Sequence, residues 1–422
     1  MRRLLITNAK ALVGVHPAGV ERVAGPSMAV LPTIAAGWLL AEDGLITAVG
    51  SMAAPPPLGD RHGLTVIDAD GRLVLPGWCD PHTHVVFAAP REEEFVDKVR
   101  GLSYQDIAAR GGGILNSARK LRAMPEDALV EQATGRLRDM MRQGTVAVEI
   151  KSGYGLSAES ELKMLRVMKR LKEVLPLRIK ATLLAAHALP PEFADDRTGY
   201  VRMITEELLP QVAAEGLADY TDVFCETGYF TVAEMERILE AGLRHGLAGK
   251  VHVNQFTSLG GIAAAVRQGA RSVDHLEVMA EDDLAALAGS ATIPTLLPSC
   301  SFFLRIPYAP ARALVDRGCA VALASDHNPG STPSGNMNLV LSLACIQLRL
   351  LPEEAVNAAT LNAAAAMDLA GELGSLTPGK RASLLITRKV PSLAYLPYAF
   401  GTDHLDTVII DGIPVRAGDA LA

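Results

Sequence analysis

The chain has 422 residues, 49% hydrophobic and 21% charged, with 40 Lys+Arg against 47 Asp+Glu and a formal net charge of −7. With a mean hydropathy of +0.21, this composition excludes a disordered chain and predicts a large buried core. No basic excess is available to neutralise phosphates, so no nucleic-acid partner is expected.

Arg2 and Arg3 open the chain, but the apolar run behind them covers only residues 4–6, too short for the core of a secretory signal. A longer uncharged stretch, residues 23–41, contains Gly25, Pro26, Ser27, Pro32, Thr33 and Gly37. Those breakers make it strands and turns, not the roughly 20-residue apolar helix a membrane requires. Five cysteines, Cys79, Cys225, Cys300, Cys319 and Cys345, are widely spaced with no CxxC. That excludes a disulfide scaffold and a cysteine-built zinc site, and predicts a cytoplasmic protein.

Residues 1–75 read as short strands separated by Gly, Pro and Asp, and residues 372–422 read the same way. Together they predict one small β-sandwich domain built from both termini. Residues 76–371 alternate strands with helices. Strand-length apolar runs recur at 146–150, 179–184, 221–224, 250–253, 272–275, 293–296 and 320–324. Residues 73–86 supply a first strand region, making eight. Between them lie helical patterns: Ser157 precedes Leu162, Leu165, Met168, Leu171 and Leu175 at helical spacing, and residues 232–245 repeat the pattern. Eight βα units in about 295 residues predict a TIM-like (β/α)8 barrel. An open doubly wound sheet is the alternative, and no Gly-rich dinucleotide fingerprint follows any strand to support it.

The sharpest local feature is Asp80-Pro81-His82-Thr83-His84. Side chains two apart on a strand share a face, so His82 and His84 aim together into the barrel mouth. His187, His252 and His275 each end a predicted strand, and Asp326 ends the last one. Taken singly, each histidine reads as a hydrogen-bonded loop or core residue. Five of the ten histidines and an aspartate on one rim, the rim where barrels collect catalytic groups, point to a metal site. The set is His82, His84, His252 and Asp326, which suits one divalent ion, zinc or iron. Such an ion lowers the pKa of a water from 15.7 to about 7. His275, one strand later, is placed to orient or deprotonate that water.

Residues 76–84 (PGWCDPHTH), His252, His275 and Ser325-Asp326 resemble the metal-dependent amidohydrolase superfamily, whose members pair such a barrel with a small β-sandwich from both termini. The segments 357–366 (NAATLNAAAA) and 374–383 (GSLTPGKRAS) are similar to the superfamily's return into that sandwich. Members with two bridged metals carry a carboxylated lysine on the fourth strand, which here ends Phe224-Cys225-Glu226. Lys151 ends the second strand instead and reads as an ion-pair or structural residue. The resemblance therefore implies one metal. Deaminases of the superfamily place a proton-shuttling glutamate three residues after the fifth-strand histidine. This chain has Gln255 there, and an amide cannot cycle a proton.

Finer motifs, residues 89–95 (APREEEF), 101–104 (GLSY), 111–114 (GGGI), 149–156 (EIKSGYGL) and 325–330 (SDHNPG), resemble the imidazolonepropionase family over nearly the whole chain. That resemblance implies ring opening of 4-imidazolone-5-propanoate to N-formimidoyl-L-glutamate by metal-activated water, in histidine degradation. It implies His275, Asp326 and Gln255 as catalytic residues, with Gln255 positioning the ring. It implies Arg91, Tyr154, His187, Gln255, Asn328, Gly330 and Ser331 as substrate contacts, Arg91 clamping the propanoate. Without the resemblance Arg91 reads as a surface arginine paired with Glu92, Glu93 or Glu94. The Gly111–Gly113 run reads as a mobile loop over the site. A homodimer is expected from the class. Two other readings stand beside this one: a hydrolase of another acidic cyclic amide, and a non-catalytic protein on the same scaffold.

Overall fold

The computed structural model describes residues 2–56, 63–102, 106–107 and 110–418. Ser103 and Tyr104 of the 101–104 motif lie outside the described residues.

Two sheets organise the chain. The first takes strands from both ends: β1 (Arg3–Val13), β2 (Thr33–Glu42), β3 (Leu45–Ser51), β4 (Leu64–Asp68) and β5 (Leu73–Pro76). The second is all-parallel: β6 (Trp78–Thr83), β7 (Thr145–Lys151), β8 (Arg178–Ala186), β9 (Tyr220–Cys225), β10 (Ala248–Val253), β11 (Ser272–His275), β12 (Ile293–Leu296) and β13 (Ala322–Leu323). The strands β14 (Leu384–Thr387), β15 (Leu405–Ile410) and β16 (Ile413–Arg416) then return to the first sheet.

The parallel strands pair in simple sequence order from β6 to β13. All seven residues of β7 and all six of β9 are buried, as in a parallel sheet covered on both faces. The circle closes between β6 and the end of β13 at residues of the candidate site. Asp326 N donates to His82 O at 3.0 Å, and His84 N donates to His327 O at 2.9 Å. The result is the nearly closed eight-stranded barrel expected from the alternating pattern.

Helices cover the barrel where the periodicity places them. The helix Ala158–Val174 starts at Ser157, whose side chain accepts from Ser160 N, a cap worth about 1 kcal/mol. Its Leu162, Leu165, Met168 and Leu171 are buried. The helix Val232–Arg244 opens on a full capping box between Thr231 and Glu234. Of the Gly111–Gly113 run, Gly111 sits in a turn, Gly112 takes the N-cap position and Gly113 begins a helix. Glu94 accepts from Gly113 N and from Asn116 Nδ2, both at 3.1 Å, pinning the start of the helix Gly113–Ala123.

The terminal sheet is mixed, in the order β16-β15-β14-β5-β1-β2-β3 with β4 on β1. It buries Leu4, Ile6, Leu12, Leu39, Val74, Leu384, Ile386 and Ile409 in one cluster. Both termini thus build this one sheet, as the sequence predicts. The stretch 73–86 is divided differently from the expectation. Its first part, β5, pairs β14 and β1, and only β6 enters the barrel. Gly77 separates them, and a β-carbon there would sit 2.2 Å from Val146 Cγ1, so only glycine passes between the two sheets. Residues 23–41 hold a short 3-10 turn and β2. Among the described residues no helix is long and apolar enough to cross a membrane.

Candidate active site

The C-terminal ends of β6, β10, β11 and β13 converge. His82 and His84 leave β6, His252 sits in β10, His275 ends β11, and Asp326 follows β13. His84 Nε2 and His252 Nε2 face each other at 3.3 Å. Asp326 Oδ1 lies 3.7 Å from the Nε2 of both His82 and His84.

The other ring nitrogens decide what these atoms are. His82 Nδ1 lies 2.6 Å from Asp274 Oδ2, and His252 Nδ1 lies 3.0 Å from Asp222 Oδ2. A carboxylate accepts, so each Nδ1 carries the proton and each Nε2 presents a lone pair. His82 Nε2 is buried with no hydrogen-bond partner among the described residues. Burial first, then the neighbouring imidazoles and Lys151, holds His82, His84 and His252 well below their ordinary pKa. Neutral, convergent imidazole nitrogens beside a carboxylate are the donor set of a divalent metal. His82, His84 and His252 lie close enough to share one ion.

Asp326 and His275 are held in backbone conformations that cost of order 1–3 kcal/mol each: φ is +55° at Asp326, +88° at His275 and +69° at Leu276. Asn328 braces the first. Its Nδ2 donates to Asp326 O and to Ser331 Oγ, both at 2.7 Å, and its Oδ1 accepts from Gly330 N and Ser331 N, both at 2.8 Å. Those four bonds saturate the amide. Ser331 Oγ in turn donates to Asp326 Oδ2 at 3.2 Å. Burial pushes the Asp326 carboxyl up to about 6, against the opposing pull of His275. His275 Nδ1 lies 3.2 Å from Glu277 Oε1. Burial works to lower the His275 pKa, but Glu277, Asp326 and Asp274 outweigh it and hold it above the ordinary value.

Above these residues is one cavity. Arg91, Tyr154, His187, Gln255, Asn328 and Ser331 line it together with His84, His252, His275 and Asp326. His187 stacks on His84 at 5.3 Å between centroids, and its Nδ1 donates to Gly153 O at 3.0 Å. Burial drives its pKa down to about 4, leaving Nε2 a neutral acceptor. Gln255 Nε2 reaches Cys300 Sγ at 3.5 Å. Arg91 is buried, against the surface-arginine reading, although its Nε keeps a 3.6 Å ion pair with Glu94. Its Nε and Nη1 have no hydrogen-bond partner among the described residues. Gly330 lies directly against it, and Lys98 Nζ donates to Gly330 O at 2.6 Å.

Every residue proposed from the sequence therefore falls on this cavity or directly beneath it. Sequence reasoning missed Asp222, Asp274, Glu277 and Lys98. For the two aspartates a signal was present: Thr-Asp-Val-Phe at 221–224 and Val-Asp-His at 273–275 each insert one carboxylate into a strand that is buried throughout.

A model of the amidohydrolase family matches residues 73–415. The imidazolonepropionase of Christiangramia forsetii is 52% identical over 97% of this chain and 99% of its own length. That of Geobacillus thermodenitrificans is 43% identical over 98% of this chain and 97% of its own. Among solved structures, guanine deaminase of E. coli aligns with a TM-score of 0.75 at 15% identity, covering 99% of this chain and all of that one. An adenosine deaminase from Xanthomonas campestris with bound zinc aligns at 0.67 and 18% identity, covering 99% and 94%. At that distance the two structures speak for the fold.

Proposed function

This chain belongs to the amidohydrolase family and, within it, to the imidazolonepropionases, and on that premise we propose that it hydrolyses 4-imidazolone-5-propanoate to N-formimidoyl-L-glutamate in histidine degradation. The amidohydrolase family is metal-dependent, and the histidine cluster of this chain is a candidate metal site. We take the occupant to be one divalent ion, zinc or iron, held by His82, His84, His252 and Asp326. Bound there, it supplies a Lewis acid and a water of pKa about 7.

The chain's own residues supply the rest. Asp326 accepts a proton from the water as its oxygen joins the ring carbonyl carbon. It returns that proton to the ring nitrogen as the carbon–nitrogen bond breaks. His275 donates toward the oxyanion that develops on the carbonyl oxygen. Gln255 positions the ring, and Tyr154 and His187 contact the ring or its tail. Arg91 clamps the propanoate, while Asn328, Gly330 and Ser331 form the other end of the cavity. The carrying observation is that one cavity joins the convergent Nε2 lone pairs to the buried Arg91 guanidinium, whose Nη1 has no hydrogen-bond partner among the described residues.

A small-molecule substrate fits this cavity. A cytoplasmic location accords with five unpaired cysteines. The homodimer expected from the class is read by sedimentation. The decisive test mixes metal-assayed protein with fresh 4-imidazolone-5-propanoate and follows loss of the ring chromophore, with a chelated control. Fast, metal-dependent loss giving N-formimidoyl-L-glutamate is the expected result. No loss from a metal-replete sample sinks the substrate and turns attention to other acidic cyclic amides.

A further inference from the structure

Beneath the imidazoles the barrel interior is ionic. Glu149 and Lys151 on β7, Asp222 on β9, Lys250 on β10 and Asp274 on β11 are all 0–1% exposed. Barrel interiors are ordinarily filled by bulky branched residues, and buried charges are costly unless they pair well. Three carboxylates and two ammoniums in one dry layer therefore call for a reason beyond filling space.

The contacts supply one. Lys151 Nζ lies 2.6 Å from Glu149 Oε1, 2.8 Å from Asp222 Oδ2 and 3.4 Å from Asp274 Oδ2. Those same two aspartate oxygens hold ligand histidines: Asp222 Oδ2 is 3.0 Å from His252 Nδ1, and Asp274 Oδ2 is 2.6 Å from His82 Nδ1. One ammonium thus fixes both carboxylates that orient two imidazoles on different strands. Lys250 differs. It bonds Glu149, Pro81 O at 3.0 Å and Ala366 O, and no ion pair joins it to Asp222 or Asp274 among the described residues.

We infer that Lys151 is a positioning residue of the metal centre, coupling His82 to His252 through Asp274 and Asp222 by direct contacts that Lys250 lacks. The inference rests on the proposed ligand set. Carboxylates behind ligand histidines set ring orientation and tautomer, and losing such a partner costs 10–100-fold in metal affinity. Here a single cation stands behind two of them, so its loss reaches two ligands at once.

The test uses the full chain and zinc alone. Zinc affinity is measured by competition with a chelating indicator, and melting temperature with and without zinc, for wild type, Lys151→Met, Lys151→Gln and Lys250→Met. Lys151→Met is expected to lose on the order of 10–100-fold in zinc affinity and to show a smaller zinc-induced rise in melting temperature. Lys250→Met is expected to melt lower in both states yet to keep its zinc affinity. If Lys151→Met does not fold, Lys151→Gln is read by the same two measurements. Wild-type zinc affinity in the Lys151 variant that folds overturns the inference and leaves the ligand set standing. An equal loss in Lys250→Met overturns it too, because the layer would then act only as structure. A wild-type chain that takes up no zinc overturns the ligand set, and the inference with it.

Discussion

Arg91 lies so close to Gly330 that a β-carbon at position 330 would fall 1.1 Å from Arg91 Nη2. The guanidinium occupies the volume a side chain would need, and residue 330 is glycine for that reason. Arg91→Ala is expected to raise KM about 10–100-fold with kcat largely kept, since a hydrogen bond to a charged group is worth roughly 1.5–3 kcal/mol. Gly330→Ala should move KM in the same direction by displacing the guanidinium. The double variant should be no worse than Arg91→Ala alone, because the two changes remove one interaction. Fully additive KM effects would show that Gly330 acts independently of Arg91.

Lys98 adds a pH dependence to the same end of the cavity. Burial first, then the Arg91 charge, pulls the Lys98 ammonium down to about 8. The shift is downward, so the charge is complete below pH 8 and is lost as pH rises through that value. The attraction for an anionic substrate weakens in the same direction. KM should therefore climb above about pH 8 in the wild type. Lys98→Met should have a higher KM at pH 7 and a flatter profile. A wild-type KM that stays level from pH 7 to pH 9.5 would exclude Lys98 from the field at the site.

The residues proposed to hold the metal and to move the proton were legible as one cluster in the sequence because they obey strand geometry. His82 and His84 share a face by the two-residue repeat, and His187, His252 and His275 mark the ends of apolar runs. The ionic layer below them was not legible. Asp222 and Asp274 are visible as carboxylates inside strands, but which histidine each meets depends on the stagger of neighbouring strands. Lys151 shows the same limit: its ion-pair character is readable, but its position between two aspartates follows from the parallel pairing of β7 through β11. The left-handed conformations at His275 and Asp326 carry no glycine to announce them. The split of 73–86 between two sheets was hidden because β5 and β6 are both short and buried throughout.

His275→Ala and Asp326→Ala test the assigned chemistry directly. General acid–base groups contribute typically 10²–10⁴-fold, and each variant should lose kcat on that scale with an unchanged circular-dichroism spectrum. Asp326 is also a proposed ligand, so metal content must be measured beside its rate. His275→Ala should keep its metal. A near-wild-type rate in either variant removes that residue from the mechanism.

Glu277 gives the sharpest test of what His275 does. Its Oε1 accepts from His275 Nδ1 and from Ser301 Oγ, and it is the principal group holding the His275 pKa up against burial. Glu277→Gln retains an oxygen to accept the Nδ1 proton, so the ring should keep its place while the negative charge is lost. The imidazolium is then less stable, and His275 gives up its proton at a lower pH. A cationic His275 that stabilises the developing oxyanion makes a specific demand. The alkaline limb of the kcat profile must move to lower pH in Glu277→Gln, with KM little changed. An alkaline limb that stays where it is, with kcat intact, would mean that His275 works as a neutral ring and that orientation alone is what Glu277 provides. Movement of the limb together with a tenfold rise in KM would instead place His275 in substrate binding, and the oxyanion role would pass to the metal.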